Sequence, residues 1–204
     1  MEKKNIKNIL ITGASRGLGL SVVKLLLENN YYVFGLSRNK TKEVSDLLIK
    51  FEDNFKFLEF DLQKTDNINN IIFKKFLKNV KLHGFVNNAA FAYDDILTNA
   101  SIESLKKMYD VNVFSPIIIS KYVVRRMISN RIKGSIIHIS SISVHTGYKG
   151  LSMYASSKGA LEAFSKNLAR EWGGFGIRSN CIVSGFMDTE MSSTLSDDQK
   201  NRIF

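Results

Sequence analysis

A chain of 204 residues with 44% hydrophobic content is long enough for one well-buried core, and with a single proline, no low-complexity linker and no internal repeat it offers no second domain. One cysteine, Cys181, excludes an intramolecular disulfide framework; no apolar stretch reaches the length of a membrane span, and no signal-peptide apolar run follows Met1. The net charge of +10 is scattered through pairs such as Lys74 and Lys75, Lys106 and Lys107, Arg125 and Arg126, with no nucleic-acid module of interleaved basic and aromatic residues. The sequence therefore predicts a cytoplasmic protein with neither nucleic acid nor membrane as partner, whose positive surface steers anionic ligands inward.

The first predicted strand, residues 9–12, runs directly into Gly13, Gly17 and Gly19 and then into an apolar-periodic helix over 18–28. Glycines at such a turn let backbone N–H groups approach a pyrophosphate, whose charge a helix N-terminus favours. The spacing is Gly-x-x-x-Gly-x-Gly, not Gly-x-Gly-x-x-Gly, and a plain strand–helix connection is the competing reading. The second strand, 32–36, leads into Ser37 and Arg38. An NAD site commonly places an acid there for the adenosine ribose, whereas arginine accommodates a 2'-phosphate, so Arg38, with Arg16 in the glycine turn, points to NADP.

Helices over 42–51, 67–78, 102–130 with a break near Pro116, and 154–172 alternate with strands over 55–60, 84–87, 135–140 and 177–183. Apolar strands alternating with helices predict an α/β fold, a doubly wound parallel sheet of Rossmann type, in one domain over 1–204. Its ligand belongs at the carboxyl ends of the strands, where Gly13, Asn87 and Ser141 emerge. Cys181, inside the last strand, is expected to be a buried strand residue and not a nucleophile.

Tyr154 and Lys158 are four residues apart on the last helix, hence on one face, shortly after Ser140 and Ser141. A phenol has an ordinary pKa of about 10, and a neighbouring ammonium is expected to lower it, making Tyr154 a general acid for a carbonyl oxygen. Taken alone, the pair reads as a packed tyrosine beside a solvated lysine, and other parts of a site are needed to favour the chemical reading.

Taken in order, 12–19, 61–62, 87–90, 111–113, 139–141, 154–158, Gly185 and 188–191 resemble the short-chain dehydrogenase/reductase family along nearly the whole chain, especially the branch of bacterial 3-oxoacyl-carrier-protein reductases. The resemblance implies an NADP-dependent reductase, NAD being second choice. Cofactor contacts would come from Gly13, Ser15, Arg16, Gly17, Leu18, Gly19, Arg38, Asp61, Leu62, Asn87, Ala89, Tyr154, Lys158, Met187 and Thr189, with Asn88 and Ala90 supporting the sheet. Asn112, Ser141, Tyr154 and Lys158 match the catalytic positions. Tyr154 would donate the proton and Ser141 hydrogen-bond the same oxygen, Lys158 would hold the nicotinamide ribose, and Asn112 would hold a water linked to solvent. His83, His138 and His145 form no metal-ligand motif.

The implied substrate is a small carbonyl compound, free or linked to a carrier protein or CoA, and the implied assembly a homodimer or homotetramer. Three departures bear on this. Ser184 stands where the family usually has proline, which predicts a less rigid turn at the nicotinamide pocket. Phe175 replaces a basic residue that meets the acidic carrier, although Arg131 and Lys133 lie near the other basic position; a sugar, polyketide or secondary-metabolite ketone is an alternative substrate. The sequence stops at Phe204, before the family's last helix and strand, which predicts an open sheet edge near 177–183. The alternative function is a nucleotide-binding, non-enzymatic interaction protein that has lost turnover.

Overall fold

The computed structural model describes residues 6–185. Strand and helix alternate as β1 (Asn8–Thr12), α1 (Gly17–Glu28), β2 (Tyr32–Ser37), α2 (Lys42–Lys50), β3 (Phe55–Glu59), a π-helical segment Ile68–Phe76, and β4 (Gly84–Asn87). The second half follows with α3 (Ile102–Tyr109), α4 (Ser115–Ser129), β5 (Ser135–Ser141), the single turn α5 (Ser143–Thr146), α6 (Ser152–Trp172) and β6 (Arg178–Ser184). All neighbours pair in parallel, in the order β3-β2-β1-β4-β5-β6. The direction of winding reverses between β1 and β4, where Thr12 lies opposite Asn87, and a crevice opens beyond the strand ends at such a switch point.

Alternation along β1 feeds two apolar layers. Ile9 and Ile11 pack with Val23 and Leu27 of α1 and Val44 of α2. Leu10 faces the other side, among Ile72 of the π-helical segment, Val123 of α4 and Leu168 of α6. Fully burying one such side chain stabilises by about 1.5–3 kcal/mol, so two covered faces hold the central strand rigidly beneath the crevice.

The predicted elements are all present, with corrections. Helix 102–130 does break, but the break precedes Pro116: Asp110–Phe114 form a π-helical turn, and Pro116 sits in the first turn of α4, where its missing N–H costs little. The helix expected over 67–78 is π-wound instead; Leu77 N donates to Ile72 O at 2.8 Å. Its carbonyl end is capped by Arg126, whose guanidinium donates to the main-chain oxygens of Phe73, Leu77 and Val80. α6 begins two residues before Tyr154, at Ser152, and α5 was not anticipated. Cys181 lies on β6 as expected but is only half-buried.

Candidate functional site

The turn between β1 and α1 is shaped by glycine for two different reasons. Gly13 has φ +69°, and a Cβ there would lie 2.7 Å from Asn88 Nδ2 and 2.9 Å from Ala89 Cα. Gly19 is buried, and its Cβ would fall 2.0 Å from Gly13 O, so this residue permits the helix to pack on the turn and does not line the cleft. Arg16 is the N-cap of α1 yet makes no side-chain capping hydrogen bond, and no acid occupies the first turn. Such a helix start suits an anion, and Gly13, Ser15, Arg16, Gly17 and Leu18 line one end of a cleft at the sheet's switch point.

The same cleft continues past the end of β2, where Ser37 and Arg38 meet the turn and Ser15 Oγ lies 2.8 Å from Ser37 Oγ. Arg38 is exposed at the rim. Asp61 and Leu62 form the next wall; the Asp61 carboxylate accepts from Gln63 N at 3.0 Å. Ala89 lines the cleft, whereas Asn87 does not: it is 1% exposed, accepts from Thr12 Oγ1 and lies 3.2 Å through Nδ2 from His138 Nδ1. Asn88 donates through Nδ2 to Thr12 O and Gly13 O, yet it and Ala90, both expected only to support the sheet, also line the cleft. These residues together fit a dinucleotide: an uncapped helix start for the pyrophosphate, a cationic rim, and a walled slot between.

At the other end the cleft is lined by Tyr154, Lys158, Ile139, Ser140 and Ser184. Lys158 is 2% exposed; its Nζ donates to Ile139 O at 2.8 Å and lies 5.6 Å from the centroid of the Tyr154 ring. Burial pushes Lys158 down to about 8. The expected lowering of Tyr154 is overturned: burial, and then the carboxylate of Asp94, push it up to about 12. The ammonium does not offset the loss of hydration around the hydroxyl, so the phenol holds its proton.

Ser141 ends β5 one residue beyond Ser140 and is not itself among the cleft-lining residues. Its Oγ accepts from Ser143 N at 3.2 Å and Ser143 Oγ at 3.0 Å, which leaves its own proton to donate. Ser140 Oγ, by contrast, is committed to Glu162 Oε1 at 2.6 Å. Asn112 sits buried in the π-helical turn, set back from the cleft. It accepts from Phe91 N at 2.8 Å and donates to Phe91 O and Ser157 Oγ, both at 3.0 Å, so only lone-pair capacity on Oδ1 remains for a water. Ser184 is tied at both ends: its Oγ donates to Ser140 O at 3.0 Å and its carbonyl accepts from Ile142 N at 2.8 Å.

Met187 and Thr189 lie outside the described residues. The sequence reading missed Phe91 and Lys107, which line the cleft with Lys107 Nζ 4.7 Å from the Phe91 ring centroid, as well as Gln63 and Asp94. Only Phe91 had a local signal, its place directly after residues 87–90. Phe175 is 58% exposed and packs against Trp172.

The profile of the short chain dehydrogenase family matches residues 7–200. The 3-oxoacyl-[acyl-carrier-protein] reductase FabG of Chlamydia pneumoniae is 34% identical over 196 residues, which span 95% of this chain and 79% of that protein. Among solved structures, ElxO with NADP bound superposes with a TM-score of 0.83 at 32% identity, covering 95% of this chain and 81% of that one. The 4-hydroxyisoleucine dehydrogenase complexed with NADH gives 0.81 at 30% identity, over 91% and 78%.

Proposed function

The chain belongs to the short-chain dehydrogenase/reductase family and is an NAD(P)-dependent oxidoreductase; from that premise we propose that it reduces a ketone to an alcohol with NADPH, the substrate being a 3-oxoacyl thioester. The observation that carries the proposal is a single cleft with the glycine turn at one end and Tyr154 and Lys158 at the other. A bound nicotinamide supplies hydride, and the protein supplies orientation and a proton.

The raised pKa of Tyr154 favours this direction. A phenol held near about 12 stays protonated at neutral pH, and the alkoxide formed by hydride addition is a stronger base than phenolate, so transfer from Tyr154 Oη runs downhill. Ser141 donates to the same oxygen and stabilises its developing charge. Lys158, moored to Ile139 O with its Nζ 5.6 Å from the Tyr154 ring centroid, presents a positive charge to the ribose. Asn112 fixes the cleft wall through Phe91 and offers its spare lone pair to a water.

NADPH is preferred to NADH because Ser37 and Arg38 close β2 with no acid to repel a 2'-phosphate, and Arg16 lines the same rim. The thioester is preferred among ketones on the similarity to the FabG reductase, in spite of Phe175. The test is NADPH absorbance followed over a panel of 3-oxoacyl thioesters, linked to carrier protein or CoA, and free ketones. Oxidation with the thioesters is the expected result. NADPH binding with no turnover on any member would overturn the reductase and support a nucleotide-binding protein.

A further inference from the structure

The turn that joins β5 to α6 is gripped at two points by one carboxylate. Glu162 lies on α6 one turn beyond Lys158 and is 9% exposed. Its Oε1 accepts from Ser140 Oγ at 2.6 Å, and His145 Nε2 lies 3.2 Å from each of its two carboxylate oxygens. Between these anchors, Ser143 donates to Ser141 Oγ through both its N–H and its hydroxyl, and His145 N donates to Ile142 O at 2.9 Å. Residues 140–145 thus form a closed loop, pinned outside to Glu162 and cross-braced inside at Ser141.

Burying a carboxylate costs stability unless its hydrogen bonds offset the lost hydration, and an apolar residue at the same buried place on α6 would incur no such cost. The geometry therefore points to a role beyond packing. We infer that Glu162, acting with His145, is a positioning residue that fixes the Ser141 hydroxyl relative to Tyr154. Tyr154, Lys158 and Glu162 recur every four residues on one helix, a rigid strut, so mooring the serine turn to Glu162 sets its distance from the tyrosine two turns away. The inference rests on the reading of Ser141 and Tyr154 as the groups at the carbonyl oxygen. His145 serves as donor either as its Nε2–H tautomer or as the cation.

The experiment uses the full chain and two independent measurements. Amide hydrogen exchange, which needs neither substrate nor cofactor, should be at least tenfold faster at Ser143 and His145 in Glu162→Ala, with the amides of β5 unchanged and protection partly restored in Glu162→Gln. Turnover of a 3-oxoacyl thioester should fall tenfold or more in Glu162→Ala through kcat, with NADPH affinity retained and Glu162→Gln intermediate. His145→Ala, at a half-exposed side chain, should reproduce the exchange change even if Glu162→Ala folds poorly. Unaltered exchange over 141–147 in both Glu162→Ala and His145→Ala would overturn the inference, as would faster exchange with undiminished kcat where Ser141→Ala is impaired. Full turnover in Ser141→Ala would instead strike the reading of the active site, which overturns the positioning role for a different and recognisable reason.

Discussion

Lys158 Nζ donates to the main-chain oxygen of Ile139 at 2.8 Å, so the cation of α6 is held by the strand that ends in Ser141. No carboxylate among the described residues forms an ion pair with it, and burial, offset only in part by Cys181, brings its titration down to about 8. Below that pH the ammonium is charged, and above it the charge is lost. The kcat/KM of the reductase should therefore fall as pH rises through about 8, approaching tenfold per unit, while Tyr154, at about 12, stays protonated throughout. A pH profile that is flat to pH 10 would show that the lysine charge is not used.

Removing the phenolic proton tests the donor. Tyr154→Phe should lower kcat by about 100-fold or more, the ordinary worth of a positioned general acid, and leave NADPH affinity within about twofold. Ser141→Ala should cost about 100-fold in kcat, as for loss of one donor at a developing oxyanion. Steady-state kinetics and a cofactor fluorescence titration read both effects. Near-normal turnover in Tyr154→Phe would move the proton source elsewhere.

The proposed preference for NADPH rests on the rim. Arg38→Asp replaces a cation by an acid that repels a 2'-phosphate and accepts from a ribose hydroxyl, so preference should move toward NADH. A charge-assisted hydrogen bond contributes roughly 1.5–3 kcal/mol, which makes a tenfold or greater loss of NADPH affinity the expected titration result. Unchanged preference would show that Arg38 points away from the phosphate.

Acid stability should report on His138. It is fully buried; its Nδ1 faces Asn87 Nδ2, its Nε2 finds no hydrogen-bond partner among the described residues, and burial, with Lys158 nearby, lowers it to about 4. Between about 6.5 and about 4 the unfolded chain binds a proton at this residue that the folded chain does not, so stability falls as pH drops through that window and is fully present above it. The share of this one group is at most roughly 3 kcal/mol. His138→Asn should flatten that part of the stability curve in urea titrations run at several pH values. An unaltered slope would remove His138 from the account.

The strands were legible because each is a short apolar run closed by turn residues, and Gly13 and Arg38 were read from their places at strand ends, whereas Ser15 came only with the family resemblance. The π-helical turn at Asp110–Phe114 was not: its apolar spacing reads as ordinary helix, and the proline indicated only that a break lies near residue 116. The state of Tyr154 was hidden for another reason. Its four-residue spacing from Lys158 is local, but its burial and the carboxylate of Asp94 are tertiary facts, supplied by a loop far away in sequence. Glu162 and His145 belong to the same class, since nothing in the helix periodicity of 154–172 distinguishes a buried carboxylate that grips Ser140 from a solvated one.

Asn112 grasps Phe91 entirely by its peptide, one bond to N–H and one to C=O, much as one nucleobase reads the edge of another. The ring of Phe91 takes no part in that recognition, yet it lines the cleft. Anchorage and chemistry are thus carried by different atoms of one residue, and the wall can be repainted without moving it. Position 91 is consequently the natural place to retune which ketone the cleft accepts: a library at this one codon should yield altered substrate preference on an intact scaffold.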